Sequence, residues 1–127
     1  MNRTGNRKLD NKLLNLPVAA STELNECTMV AINSDGYAVA ATKSAGLTVA
    51  GCVQQYTDNR NGTDGAVTVK ASRGAFVWKN DGTIKSTDIL KKCYVSDSQT
   101  VTITSTGSSV AGTILAVESD GVTVEMM

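Results

Sequence analysis

Cys93-Tyr94-Val95, Thr100-Val101-Thr102-Ile103-Thr104, Gly112-Thr113-Ile114-Leu115-Ala116-Val117 and Val122-Thr123-Val124 follow one another with only turn residues between them. The runs are short and β-branched, and each is bounded by Asp, Ser, Gly or Asn, which is the sequence signature of strands. In Thr100 to Thr104 the apolar Val101 and Ile103 alternate with threonines, so one face is expected buried and the other wet. Gly112 to Val117 is apolar on both faces and reads as an interior strand covered on each side. Asp120-Gly121 then reads as a tight hairpin, because its central residues need positive φ, which Gly takes freely and Asp tolerates.

Working outward, the same grammar recurs. Cys27 to Ile32, the turn Asn33-Ser34-Asp35-Gly36 and Tyr37 to Ala41 predict a second hairpin. A third is expected where Ala75-Phe76-Val77-Trp78 meets Asn80-Asp81-Gly82 and Thr83-Ile84. Gly51 and Gly112 sit inside strand-like runs, which places them where a strand bends or another backbone comes close. Thr57 to Gly65 is the most polar part of the body and reads as a loop. Ser86 to Lys92 is the one internal helical turn expected, with Ser86 or Thr87 as N-cap. No linker divides the chain, and turn signals about every 8 to 12 residues predict an all-β fold. The expected fold is a small sandwich or barrel of short antiparallel strands joined by hairpins, with at most one or two short helical turns.

Residues 1–17 form an N-terminal arm in this reading, and 18–127 a single β domain. The arm carries Arg3, Arg7, Lys8 and Lys12 against Asp10, so the remainder is slightly acidic. Leu9, Leu13 and Leu16, with Leu14 on the same stripe, lie near helical spacing. They permit one or two helical turns that dock on a neighbour, or a frayed terminus. Pro17 ends any helical tendency.

At 127 residues the chain suits one core. Its zero formal net charge argues against a nucleic-acid binder acting through its overall field. No run approaches the ~20 apolar residues of a membrane helix, and nothing near Met1 resembles a signal peptide, so no membrane partner and no secretion are expected. Cys27, Cys52 and Cys93 are odd in number and widely spaced, and the chain has no histidine. They are expected reduced and mostly buried, as in a reducing compartment.

Without imidazole, Ser-His-Asp and Cys-His catalysis are excluded. The loop Asp58 to Asp64 lacks the alternating carboxylates and closing Glu of an EF-hand, so no metal is expected there. No cofactor motif occurs: the glycines do not form a phosphate loop. Trp78 beside Lys79 is either a core residue or an anchor for a partner. Arg3, Arg7, Lys8, Leu13 and Trp78 are thus the candidate partner-contact residues, and no catalytic, cofactor-binding or metal-binding residue is singled out.

One resemblance adds to this. Asp88-Ile89-Leu90-Lys91-Lys92-Cys93-Tyr94-Val95-Ser96-Asp97-Ser98-Gln99-Thr100-Val101-Thr102 is followed by Ser109-Val110-Ala111-Gly112-Thr113-Ile114 and Asp120-Gly121-Val122-Thr123-Val124. This order resembles the head decoration, or capsid cement, proteins of tailed bacteriophages and prophages, where D-I-G-K-x-V-Y-V-x-D-x-x-T-V-T precedes S-x-A-G-x-V and D-G-V-x-V. Asp35-Gly36-Tyr37-Ala38-Val39-Ala40-Ala41 and Gly51-Cys52-Val53 are similar to earlier segments of that family. The likeness runs from about Glu23 to Val124. Leu90 stands where Gly is usual and Cys93 where Val is common, and the arm has no counterpart. The resemblance implies a structural virion protein, made in the bacterial host cytoplasm, that sits on the capsid exterior. It implies a major capsid protein as partner, a homo-oligomer (dimer or trimer), no catalysis and no cofactor. Two other readings remain: a β-sandwich binding a glycan or receptor, and a small hydrolase using carboxylates or Cys52.

Overall fold

The computed structural model describes residues 13–126. The expectations placed on Arg3, Arg7, Lys8 and the first part of the leucine stripe lie outside these residues. Within them the chain is all-β. In order come β1 (Leu13–Pro17), β2 (Thr22–Leu24), β3 (Met29–Ile32), β4 (Ala38–Ala40), β5 (Thr48–Val53) and β6 (Thr57–Asn59). After them follow β7 (Thr68–Ser72), β8 (Gly74–Asn80), β9 (Lys92–Asp97), β10 (Thr100–Thr102), β11 (Val110–Glu118) and β12 (Gly121–Met126). The one helical element among the described residues is the 3-10 turn Ser86–Asp88.

The strands make two bodies and a ribbon. A five-stranded sheet has the order β1-β7-β5-β3-β4, a closed barrel the order β10-β8-β12-β11-β9, and β2 pairs with β6 alone. Of the sandwich and barrel offered as alternatives by the turn spacing, the barrel is present, beside an open five-stranded sheet. The chain passes between them at Arg73, the single residue separating β7 from β8.

The sheet is apolar on both faces because β3 and β5 are. Met29 and Ala31 of β3 join Cys52 of β5 in one buried cluster with Trp78, Val95, Val101, Ile114, Val122 and Val124 of the barrel. Val30, Ala50 and Val53 belong to a second cluster with Val18, Leu24, Val69 and Ala71. The period-2 geometry of a strand sends neighbours to opposite faces, so one short strand serves two cores. Burying a Val or Leu side chain contributes roughly 1.5–3 kcal/mol, which lets small residues hold the fold through number.

The β3–β4 hairpin forms as expected, with Ala31 opposite Val39. Its turn is organised by Asn33, whose Oδ1 accepts the N–H groups of Asp35 and Tyr37 at 3.0 Å each. The β11–β12 hairpin also forms, but Glu118 pairs with Gly121, so Ser119 and Asp120 are its loop residues. Gly121 is needed for a different reason: it sits at φ +147, and a Cβ there would stand 2.5 Å from the carbonyl oxygen of Trp78. Gly51 behaves as expected of a close approach, since a Cβ on it would collide with the carbonyl oxygen of Ser72.

Several expectations are corrected. Leu13–Pro17 is not helical but an edge strand, paired antiparallel with β7, so the boundary drawn at residue 17 cuts through the sheet. The hairpin expected around Gly82 does not form. β8 pairs instead with β12 and, in parallel, with β10, while the side chains of Asn80 and Asp81 accept N–H groups of Gly82 and Thr83 and curl the chain locally. The strand begun at Thr100 ends at Thr102, whose side chain is buried; the N–H of Ile103 donates to Thr83 Oγ1 at 3.1 Å. The helical turn is capped by Lys85, whose N–H donates to Asp88 Oδ2, rather than by Ser86 or Thr87. The polar stretch after Tyr56 starts as a strand and turns on Asn59, a buried amide donating to the carbonyls of Val18, Ala19 and Thr63.

Candidate functional site

Two surface features distinguish themselves. The first is on the outside of the barrel. β11 was expected to be covered on both faces, yet Leu115 is 37% exposed while Ile114 is fully buried, and no strand of the described residues covers the outer face there. A bulge between Ile114 and Ala116 sets Leu115 and Ala116 against β12, and Ala116 pairs with Thr123, which pairs in turn with Val77 of β8. Val77 is 54% exposed. On the other side of β11 the N–H of Leu90 donates to the carbonyl of Ile114 at 2.7 Å, and that of Ile114 donates to Lys91 at 2.9 Å. These bonds hold the backbone at Leu90 and Lys91 against Ile114, the chain neighbour of Leu115.

Leu90 is the unusual residue here. It lies at φ +72, in the left-handed region, and is 72% exposed. A branched side chain in that region costs on the order of 1–3 kcal/mol and persists only where its surroundings enforce it. Here the two hydrogen bonds to β11 enforce it, and the isobutyl group gains little burial in return. A residue that is both strained and displayed is a candidate contact.

The second feature is a cleft of about 830 Å³ between the sheet and the barrel. Thr48, Val49 and Ala50 form part of one wall and Val110, Ala111 and Thr113 part of the other. Ser109 stitches the walls together at one end: its Oγ accepts the N–H of Leu47 at 3.0 Å and donates to the carbonyl of Ser44 at 2.6 Å. Leu14, Lys92 and Glu125 also border the cleft.

Of the predicted contact residues, Leu13 opens β1 and is 37% exposed. Trp78 is corrected to a core residue: it is 5% exposed, its Nε1 donates to the sulfur of Met126 at 3.2 Å, and its ring lies 6.2 Å from that of Phe76. That leaves almost no ring surface for a partner. Arg3, Arg7 and Lys8 precede the described residues. Leu90 was legible in advance only as the residue occupying a glycine position.

The polar loop has its own structural account. Asp64 Oδ1 accepts the N–H of Ala20 at 2.8 Å, and Asp58 holds Arg60 through two oxygens at 3.0 Å. The Arg60 guanidinium, through these hydrogen bonds, keeps the Asp58 carboxyl below its ordinary range. Tyr56 donates to Glu23 in the same group. Among the described residues no three of His, Cys, Asp or Glu are grouped to hold a metal. Of the cysteines, Cys27 is exposed while Cys52 and Cys93 are buried, and all three are free. Burial pushes both buried thiols up to about 11, with Cys27 adding to the effect at Cys52.

No protein-family model, curated protein or solved structure matches this chain.

Proposed function

We propose that this chain is a structural virion protein that binds the outer surface of an assembled tailed-phage capsid and bridges neighbouring coat subunits as a homo-oligomer. The observation that carries the reading is the displayed Leu90 beside β11, in the stretch whose order resembles the cement proteins, with Leu115 and Val77 also exposed on the barrel. Exposed apolar groups gathered on one part of a surface mark an interaction site. These groups supply area for contact, while the barrel behind them keeps that area rigid and so lowers the ordering cost of binding.

The mechanism is linkage. Contacts that exist only when coat subunits are neighbours add their free energy to the assembled shell and not to its parts, so decoration raises resistance to disruption by mass action. The lattice repeats the site many times, which lets each contact stay weak. A glycan-binding reading asks for exposed rings to stack on sugars. Tyr56 is the exposed ring here, whereas Trp78 and Phe76 lie together in the barrel.

The test uses empty heads of the phage or prophage that encodes the chain. The protein is expected to co-sediment with assembled heads, not with free coat subunits, and to raise the melting temperature of the heads. Equal binding to unassembled coat, or binding without a melting shift, would remove the bridging role.

A further inference from the structure

The turn that displays Leu90 is also where basic charge collects. Of the residues from Leu13 onward eight are basic and eleven acidic, and three of those eight, Lys85, Lys91 and Lys92, fall within residues 85–92 against Asp88 alone. That stretch therefore carries +2, while the rest of the chain from Leu13 carries −5. Its one carboxylate is turned inward. Asp88 keeps only 14% of its side chain exposed, accepts the N–H of Lys85 at 2.9 Å through Oδ2 and lies 3.5 Å from Lys91 Nζ through Oδ1. The three lysines are all exposed. Lys92 stands at the margin, donating to Thr113 Oγ1 at 3.2 Å and bordering the cleft with Arg73 and Glu125, one charge of each sign. Those two leave the excess of the turn unchanged.

The apolar tip sits in the middle of this charge. Ile89 and Leu90 are consecutive and both exposed. The backbone on either side of them is fixed: Asp88 N–H donates to the carbonyl of Lys85 at 2.8 Å, and Lys91 N–H to that of Asp88 at 3.0 Å. The two bonds with Ile114 then tie the far end of the turn to β11. A tip held in this way presents one shape, so little ordering cost falls on binding. Fixed branched side chains among ammonium groups fit a socket that is apolar at its floor and carboxylate-bearing at its rim, because opposite fields across an interface speed encounter and reject wrong partners.

We propose that the turn 85–92 docks into such an acidic-rimmed apolar socket on the coat subunit, with Leu90 entering the floor and Lys85 and Lys91 meeting the carboxylates. The inference rests on the capsid reading for the identity of the partner and adds the chemistry of the partner's surface. Charge favours a protein socket over an anionic bilayer. A bilayer sets its negative field against the whole near side of the molecule, including acidic groups of the −5 remainder, whereas a socket meets the turn alone.

The experiment is co-sedimentation of the full-length protein with empty heads of the phage or prophage that encodes it. Binding is compared at about 0.1 M and about 1 M salt, between which the Debye length falls from about 10 Å to about 3 Å. Wild-type affinity is expected to fall about tenfold across that range, and salt-independent binding overturns the proposal. Lys85→Glu and Lys91→Glu are each expected to weaken binding about tenfold at the lower salt and much less at the higher; wild-type affinity in both variants overturns it. Because Lys91→Glu sets a second carboxylate beside Asp88 and can loosen the turn, Lys91→Arg is measured with it and is expected to bind as wild type does. Equal loss in Lys91→Arg and Lys91→Glu would make Lys91 a residue that shapes the turn and would overturn its docking role. No binding of the wild type at either salt sinks the capsid reading and this inference with it, whereas wild-type binding that ignores the lysines sinks this inference alone. Vesicles of phosphatidylserine and phosphatidylcholine stand in for a bilayer: no capture is expected, and capture as strong as that by heads overturns the protein socket.

Discussion

Leu90 makes a prediction that few surface residues allow. Because its left-handed φ penalises any Cβ, Leu90→Gly should stabilise the folded chain by about 1 kcal/mol, measured by urea denaturation, while weakening binding to heads by removing the isobutyl group. Stability and binding moving in opposite directions is the signature of a residue kept for contact. Loss of both would make Leu90 a packing residue instead. Cys93 gives a second test at the same scale. Its thiol is fully enclosed and bonded to the carbonyl of Gly112, and burial pushes it up to about 11 from an ordinary 9.0. An acid whose folded pKa is raised contributes fully below the unfolded pKa, and the contribution is lost as pH rises toward the folded one. Stability should therefore fall between about pH 9 and 11. In Cys93→Val that alkaline loss should shrink by roughly 1–3 kcal/mol relative to wild type, with stability at pH 7 changed by less. An unchanged alkaline slope would show that the thiol ionises as freely in the folded chain as in the unfolded one.

At the scale of elements, β1 decides how the N-terminus can be cut. Leu14 and Leu16 pack against the second cluster, so a deletion through residue 16 removes an edge strand and two core side chains. Such a deletion should cost several kcal/mol. Deletion of residues 1–12 spares β1 and should leave the melting temperature within a few degrees of wild type, by circular dichroism. Only the shorter truncation can test whether Arg3, Arg7 and Lys8 contribute to binding. How much of this was legible in the residues differs by element. The alternation and turns of β3, β4, β11 and β12 were open to reading because each is local: a run, a turn and a run. Leu13 to Pro17 misled because four leucines within eight residues satisfy a helical stripe as well as an edge strand, and the partner that decides, β7, lies more than fifty residues away. Thr83-Ile84 looked like a returning strand, but the competing Asx turns at Asn80 and Asp81 ended the extended run first. Asn59 carries no pattern at all; its role follows from carbonyls some forty residues distant. The exposed outer face of β11 was illegible for another reason, since apolar residues on both faces look alike whether a layer covers them or a partner does.

As a whole molecule, the sheet and barrel are two bodies sharing one apolar seam. Met29, Ala31 and Cys52 of the sheet are buried among barrel residues, and a single residue separates β7 from β8. Neither body can lose its packing without exposing the other's, so thermal unfolding should be one transition with a calorimetric to van't Hoff enthalpy ratio near one. Two resolved transitions would mean that the seam is not what holds the bodies together. The placement of the three sulfurs has a practical side as well. Cys27 stands on the surface in the bend before β3, while Cys52 and Cys93 are sealed inside and hard to ionise. A maleimide dye at neutral pH should therefore tag each folded copy once, so that colour per mole of protein becomes a direct measure of how much of a preparation is folded.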